Sequence, residues 1–365
     1  MSPKRVCLNL YRANLVNHSN QFCSIIPEYM SKNIVENGSE EEKKRAWNSL
    51  ILTEQLRGRR KVTGLMSSMF AVSDDLNRTI FNAENTEELP GTLIRSEGGK
   101  PIGGETVSEA YDYSGSTYQY FKKIFNRNSI DTRGMRLEST VHYGNEYNNA
   151  FWNGTQMVYG DGDNEIFQRF TKCLDVVAHE LSHGVTQYEA ALEYQGQAGA
   201  LNESFSDVFG SLVKQYTLGQ TVEKADWLIG SGLFSKMVQG KALRSMKEPG
   251  SAYNDPTLGK DPQPGHMKNY VRTSSDNGGV HINSGIPNRA FYLTAIELGG
   301  YAWEKAGRIW YTTLTEKLRE RSDFQFAANF TFEVAGNLYG KNSKEQNAVK
   351  KGWNQVGLNI KKKYN

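Results

Sequence analysis

Long apolar runs are missing from this chain. No stretch approaches the ~20 consecutive apolar residues that a membrane-spanning helix needs, so nothing in it is expected to cross a bilayer. The start, Met1-Ser2-Pro3-Lys4-Arg5-Val6-Cys7-Leu8-Asn9-Leu10, is basic but lacks the apolar core of a Sec signal peptide. A cytoplasmic location and secretion by a route without that signal both stay open. An excess of one charge is missing too. Lys and Arg number 43 against 40 Asp and Glu, a formal net charge of +3, and the basic residues are scattered. That argues against a nucleic-acid partner. Cysteine is scarce: Cys7, Cys23 and Cys173 cannot all pair, so no disulfide framework is expected. Histidine is nearly as scarce, with only His18, His142, His179, His183, His266 and His281.

Against that scarcity, His179-Glu180-Leu181-Ser182-His183 stands out. On a helix, residues four apart share one face, so both imidazoles can reach one metal ion. Leu174, Val177, Ala178, Leu181, Val185 and Tyr188 recur at helical spacing around them. A second helical pattern follows in Leu201, Phe205, Val208, Phe209, Leu212, Val213 and Tyr216, with Glu203 and Asp207 on the side opposite Phe205. Two imidazoles and the Glu203 carboxylate make three ligands for zinc, with the fourth position left to water. Glu180 then sits beside that water as a general base. The bland alternative is two amphipathic helices with surface histidines and acids. A purely structural zinc site has no use for a base at an open coordination position, so Glu180 favours catalysis over a binding module. An aminopeptidase would need acidic groups to capture a free amine, and no motif supplies them.

The length of 365 residues, with 38% hydrophobic and 23% charged residues, permits a normal core and two or three structural units. Residues 1 to about 70 read differently from the rest. Ile25-Ile26-Pro27-Glu28-Tyr29-Met30 precedes an expected helix with Ile34 and Val35. A second helix is expected from about Glu40 to Gln55, with Trp47, Leu50 and Leu52 apolar. Arg57-Gly58-Arg59-Arg60-Lys61 then reads as a solvated loop or an exposed linker open to proteases. Residues from about 76 to 170 lean to strands, with Thr79-Ile80-Phe81 and Met135 to Tyr143 as candidates and Val107 to Phe125 as a helix. From residue 172 onward the pattern is mostly helical. Loops are expected at Gly250 to Gly265 and Asn277 to Gly279, and final helices near Trp303 to Arg319, Phe324 to Tyr339 and Ser343 to Val356.

Four separated motifs now come together: Asn148-Asn149-Ala150-Phe151-Trp152, the His179 to His183 run, Asn202 to Asp207, and Asp276-Asn277-Gly278-Gly279-Val280-His281. In order and spacing they resemble the thermolysin family of zinc metallopeptidases over roughly residues 75 to 365. The N-terminal part, with its Ile-Ile-Pro segment, resembles the short propeptide of the protealysin-like branch, although Glu28 stands where that branch commonly has a second proline. The resemblance implies an α+β, two-lobed metallopeptidase with a β-rich N-terminal lobe and a helical C-terminal lobe. The zinc helix lies between the lobes, and a short helical propeptide precedes them. Residues 1–72 would be propeptide, 73–194 the N-terminal catalytic lobe with the zinc helix, and 195–365 the C-terminal lobe.

It further implies an endopeptidase for protein and peptide substrates, cutting before bulky apolar residues and held latent by its own propeptide. A monomer is the default expectation. By the family pattern, Tyr194 and His281 would stabilise the oxyanion and Asp276 would orient His281. Asp207 would hold a ligating histidine. Asn149, the backbone of Ala150 and Arg244 would hold the substrate chain. Phe167, Phe170, Val176, Ile229 and Leu243 would line the apolar pocket. The family's calcium sites look lost or reduced. Asp175 and Asp226 remain, but Lys214, Leu228, Ser231 and Lys241 stand at acidic positions. Lys214 is expected to pair with Asp175 and Asp226 in place of an ion. Cys23 could reach the zinc in the precursor, but packing of the whole propeptide into the cleft is the preferred account of latency. Release would follow cleavage near residues 57 to 75.

Overall fold

The computed structural model describes residues 23–63 (backbone only for 56–63) and 75–360. The first element is a two-residue strand, β1 (Cys23–Ser24), followed by helices α1 (Glu28–Asn37) and α2 (Glu40–Thr63). Pro27 sits just ahead of α1 at φ −63°, the value its ring imposes. Ser39 and Glu42 start α2 reciprocally: the Ser39 N–H donates to Glu42 Oε2 at 2.6 Å and the Glu42 N–H to Ser39 Oγ at 3.3 Å. The expected loop at Arg57 to Lys61 is corrected here, because α2 runs straight through it to Thr63. Arginine and lysine are good helix formers, and one glycine among them does not stop a helix already nucleated.

The expected strands are β2 (Arg78–Asn82) and β4 (Leu137–Val141), joined by β3 (Thr92–Ser96), β5 (Ala150–Trp152) and β6 (Met157–Tyr159). With β1 they form a six-stranded mixed sheet in the order β1-β5-β6-β4-β2-β3. The segment preceding the catalytic part therefore supplies the edge strand of that part's own sheet. It runs antiparallel to β5, with Cys23 opposite Trp152 and Ser24 opposite Phe151. The long helix α3 (Gly104–Phe125) packs against β2 and β4, and its Val107, Ala110, Tyr118 and Phe121 are all buried.

Helix α4 (Leu174–Tyr188) carries both motif histidines, and α5 (Gly196–Leu218) carries Glu203 and Asp207. The two helices approach closely because α5 has Gly210 at the crossing. A Cβ there would lie 2.6 Å from the Asp175 carbonyl and 3.3 Å from His179. Helices α6 (Asp276–Asn283), α7 (Gly285–Leu298), α8 (Ala306–Thr312), α9 (Phe324–Tyr339) and α10 (Lys344–Gln355) complete the helical part. The last three match the expected final helices. One large apolar core runs through sheet and helices, and Ile25, Ile26, Met30 and Ile34 of the leading segment are part of it; a smaller one joins Leu52 of α2 to Tyr147, Phe151 and Val158. Cys23 and Cys173 form no disulfide, and Cys7 lies outside the described residues.

Candidate active site

Helices α4 and α5 bring His179, His183 and Glu203 together, all three fully buried, with one donor atom of each within 4.8 Å of the others. The edges of this triangle are 3.0 Å between the two Nε2 atoms, 3.5 Å from His179 Nε2 to Glu203 Oε2 and 3.4 Å from His183 Nε2 to Glu203 Oε1. Donors bound tetrahedrally at zinc distances of 2.0–2.1 Å stand about 3.3 Å apart, so the triangle has the size of a zinc site. The tautomers agree. His183 Nδ1 is taken by Asn202 Oδ1 at 2.9 Å and Ser206 Oγ at 3.0 Å, and His179 Nδ1 lies 2.8 Å from Asp207 Oδ1. Both Nε2 lone pairs are thereby turned to one point. Burial holds the His183 pKa down at about 3, so the imidazole is neutral as a ligand must be. Glu203 Oε2 is buried without a hydrogen-bond partner, and a cation is what that atom lacks. Cys23 does not join this cluster.

Glu180 is fully buried beside the triangle. One carboxylate oxygen accepts the Trp152 N–H at 3.0 Å, and the other has no partner. Burial, reinforced by the charge of Glu203, pushes its pKa well above the carboxylate range. Tyr194 donates its hydroxyl to Glu203 and lies 3.2 Å from His281 Nε2. His281 is gripped from behind by Asp276, which takes Nδ1 at 2.6 Å and the backbone N–H at 2.9 Å. The sharp turn that allows this double contact has Asp276, Asn277, Gly278 and Gly279 all at positive φ. Burial alone would lower the His281 pKa, but Glu203 and Asp276 outweigh it and raise the value to about 9.

Asp207 does more than hold His179. Both its oxygens accept from Arg244 at 2.8 Å, and Asn288 Nδ2 donates to it at 2.8 Å. Burial opposes its ionisation, yet the Arg244 guanidinium and His179 keep its carboxyl well below the usual range. The Arg244 pair, Asn288, Asn202 and Ser206 are functional contacts that the sequence reading missed. Asn202 and Ser206 flank known positions in the quoted run, but a polar residue on a helix carries no direction until its partner is known.

The leading segment occupies the cleft above these groups. The Ser24 carbonyl lies 3.0 Å from His281 Nε2. The Ile25 N–H donates to the Ala150 carbonyl at 3.1 Å, and Arg244 Nη1 donates to the Ile25 carbonyl at 3.2 Å. Asn149 takes the Ile26 N–H at 3.0 Å through Oδ1 and reaches its carbonyl at 3.5 Å through Nδ2. Phe167, Phe170, Val176, Ile229 and Leu243 are all buried in the same apolar cluster as Ile25. Away from these groups, Lys214 Nζ lies 3.1 Å from Asp175 Oδ2 and 2.9 Å from Asp226 Oδ2, with the Leu228 carbonyl at 3.4 Å.

Two buried imidazoles and a buried carboxylate in a zinc-sized triangle, with a second buried carboxylate beside them, fit a zinc metallopeptidase. Residues 54–187 match the family model for the thermolysin metallopeptidase catalytic domain, and residues 190–358 match that for its alpha-helical domain. The chain belongs to the thermolysin family and is a zinc neutral endopeptidase. It is 51% identical over 347 residues to an extracellular metalloprotease of Pectobacterium carotovorum subsp. carotovorum, covering 95% of this chain and 99% of that one. Protease PrtS of Photorhabdus sp. (strain Az29) is 47% identical over 352 residues, with 94% of each chain covered. The solved precursor of protealysin, a metalloproteinase from Serratia proteamaculans, superposes with a TM-score of 0.85 at 53% identity, covering 92% of this chain and 99% of that chain.

Proposed function

We propose that residues 1–72 are a propeptide that keeps this endopeptidase latent by filling its cleft, and that the groups beneath it carry the catalysis. Residues 73–194 and 195–365 are the two catalytic lobes. The observation that carries the reading is the fully buried Glu180 beside the His179, His183 and Glu203 triangle, under a peptide segment seated on Asn149, Ala150 and Arg244.

His179, His183 and Glu203 would hold the zinc, which when bound would polarise the substrate carbonyl and lower the pKa of bound water toward about 7. Glu180 takes the water proton and delivers it to the departing nitrogen; its raised pKa makes it the stronger acceptor for that proton. His281, protonated and oriented by Asp276, donates to the developing oxyanion, and Tyr194 does so once its hydroxyl turns from Glu203. Asp207 fixes both His179 and Arg244, so one carboxylate orients a metal ligand and a substrate-binding group together. Phe167, Phe170, Val176, Ile229 and Leu243 form a pocket for a bulky apolar residue after the scissile bond. The buried, apolar Ile25, which follows the Ser24 carbonyl at His281, is consistent with that preference.

Lys214 stands in for a calcium ion between Asp175 and Asp226, so the enzyme works with zinc and little or no calcium. The similarity to an extracellular metalloprotease of Pectobacterium supports export from the cell. The test is hydrolysis of a protein substrate after propeptide removal, for wild type and Glu180→Ala, with and without a zinc chelator. Activity lost on chelation, restored by zinc and reduced about 10²–10⁴-fold in the variant is expected. Undiminished activity in Glu180→Ala would remove the base from the mechanism.

A further inference from the structure

We infer that the Ser24–Ile25 peptide bond is itself a substrate of this site: the precursor cuts itself there and becomes a nicked but still blocked enzyme. The inference rests on the roles proposed above for Glu180 and His281, and it names a substrate of that same site.

The argument begins with polarity. From the Ser24 carbonyl to the Ile26 carbonyl, every backbone polar group meets a group assigned to substrate. His281 faces the Ser24 carbonyl at 3.0 Å, where an oxyanion would develop. Ala150 takes the Ile25 N–H at 3.1 Å. Arg244 and Asn149 take the next carbonyl and amide at 3.2 and 3.0 Å. A segment built to block without reacting would run backward or bulge its backbone away from the base. Here the pairing of Cys23 with Trp152 and Ser24 with Phe151 is regular and antiparallel, so nothing lifts the bond out of reach. Ile25 is apolar and fully buried, the kind of residue that the proposed preference puts after a scissile bond.

The step balances with water alone. The water oxygen bonds to the Ser24 carbonyl carbon, its proton passes through Glu180 to the Ile25 nitrogen, and the C–N bond breaks. A Ser24 carboxylate and an Ile25 amine result. The cut does not free the cleft. Residues 25–63 stay joined to the catalytic part through the chain that follows. Asn33 donates to the Leu258 carbonyl at 2.7 Å, Arg45 pairs with Glu165, and Met30 and Ile34 remain buried. A product tethered at high effective concentration rebinds faster than it leaves.

The experiment uses the full-length, zinc-loaded precursor and follows intact mass and N-terminal sequence with time, while a portion treated with an added protease is assayed on an exogenous protein. Wild type is expected to yield a new terminus at position 25 and Glu180→Ala none. Ile25→Asp should slow that cut at least tenfold, and the conservative Ile25→Leu should keep it, so that a misfolded Asp variant cannot mislead. Independently of turnover, amide exchange in the Glu180→Ala precursor should be slow at Ile25 and Ile26. Rapid exchange there overturns the inference. So does a wild type that hydrolyses the exogenous protein while the Ser24–Ile25 bond stays intact, and in that case the proposed function stands. If the exogenous protein is not cut either, both fall.

Discussion

At the scale of single residues, three side chains carry consequences that can be measured. His281 is raised to about 9 by Glu203 and Asp276 against the pull of burial. Bound zinc offsets part of the Glu203 charge and draws that value down toward the ordinary 6.5. The protonated ring is the oxyanion donor, so kcat/KM should fall as pH rises, along an alkaline limb between about 6.5 and 9. His281→Ala should abolish the limb and lower kcat about 10²–10³-fold; a pH–rate profile of both proteins checks this. Lys214 neutralises Asp175, which is wholly buried, more than Asp226, which is half exposed. Lys214→Ala leaves a buried carboxylate uncompensated, at a cost of about 3 kcal/mol. Millimolar calcium should recover part of the lost stability in that variant and none in wild type, as thermal melts would reveal. The left-handed run at Asn277 to Gly279 has φ of 49°, 81° and 78°, and a Cβ on Gly279 would lie 2.8 Å from Asn283 Nδ2. A short glycine-rich motif is thus a backbone requirement for the Asp276–His281 contact, something visible in the sequence only as a loop.

At the scale of elements, the hold of α1 and α2 on the catalytic part has two components of unequal size. Ile25, Ile26, Met30 and Ile34 are buried, each gaining about 2 kcal/mol as an upper estimate. Arg45 meets Glu165, with Glu146 at 3.8 Å; both acids are half exposed, and pairs with such partners contribute about 0–1 kcal/mol, while only the longer contact, 3.9 Å to Asp163, is with a buried acid. Met30→Ala should therefore raise the activity of uncut precursor by at least about thirtyfold, and Arg45→Ala by less than about fivefold. The reverse ranking in a latency assay would show that charge, and not apolar insertion, dominates docking. The elements differ in how readable they were. Helices α4 and α5 declared themselves through apolar spacing around His179, His183 and Glu203. β1 did not, because two residues have no periodicity and its partner Trp152 lies far along the chain. The helix through Arg57 to Lys61 was hidden by its charge, which reads as solvated loop whatever its backbone does. The pocket residues and Lys214 were legible only through resemblance, since an isolated buried Phe or an isolated lysine points nowhere.

At the scale of the whole molecule, the metal site joins two helices that the family models assign to different domains, α4 to one and α5 to the other. Zinc binds the folded state alone, so at a free concentration 1,000 times its Kd it adds about 4 kcal/mol. Chelation should lower the melting temperature of the mature enzyme markedly, and calcium addition should leave it unchanged; calorimetry of the apo and zinc forms decides this. The sheet carries a last consequence. While β1 is in place, the outer rim of β5 is covered. Once the segment departs, that rim is left with bare amides and carbonyls that accept any extended chain, a frayed loop of a sister molecule included. The feature that lets the enzyme grip its prey thus makes it prey in turn, and its working life after activation should shorten as its concentration climbs.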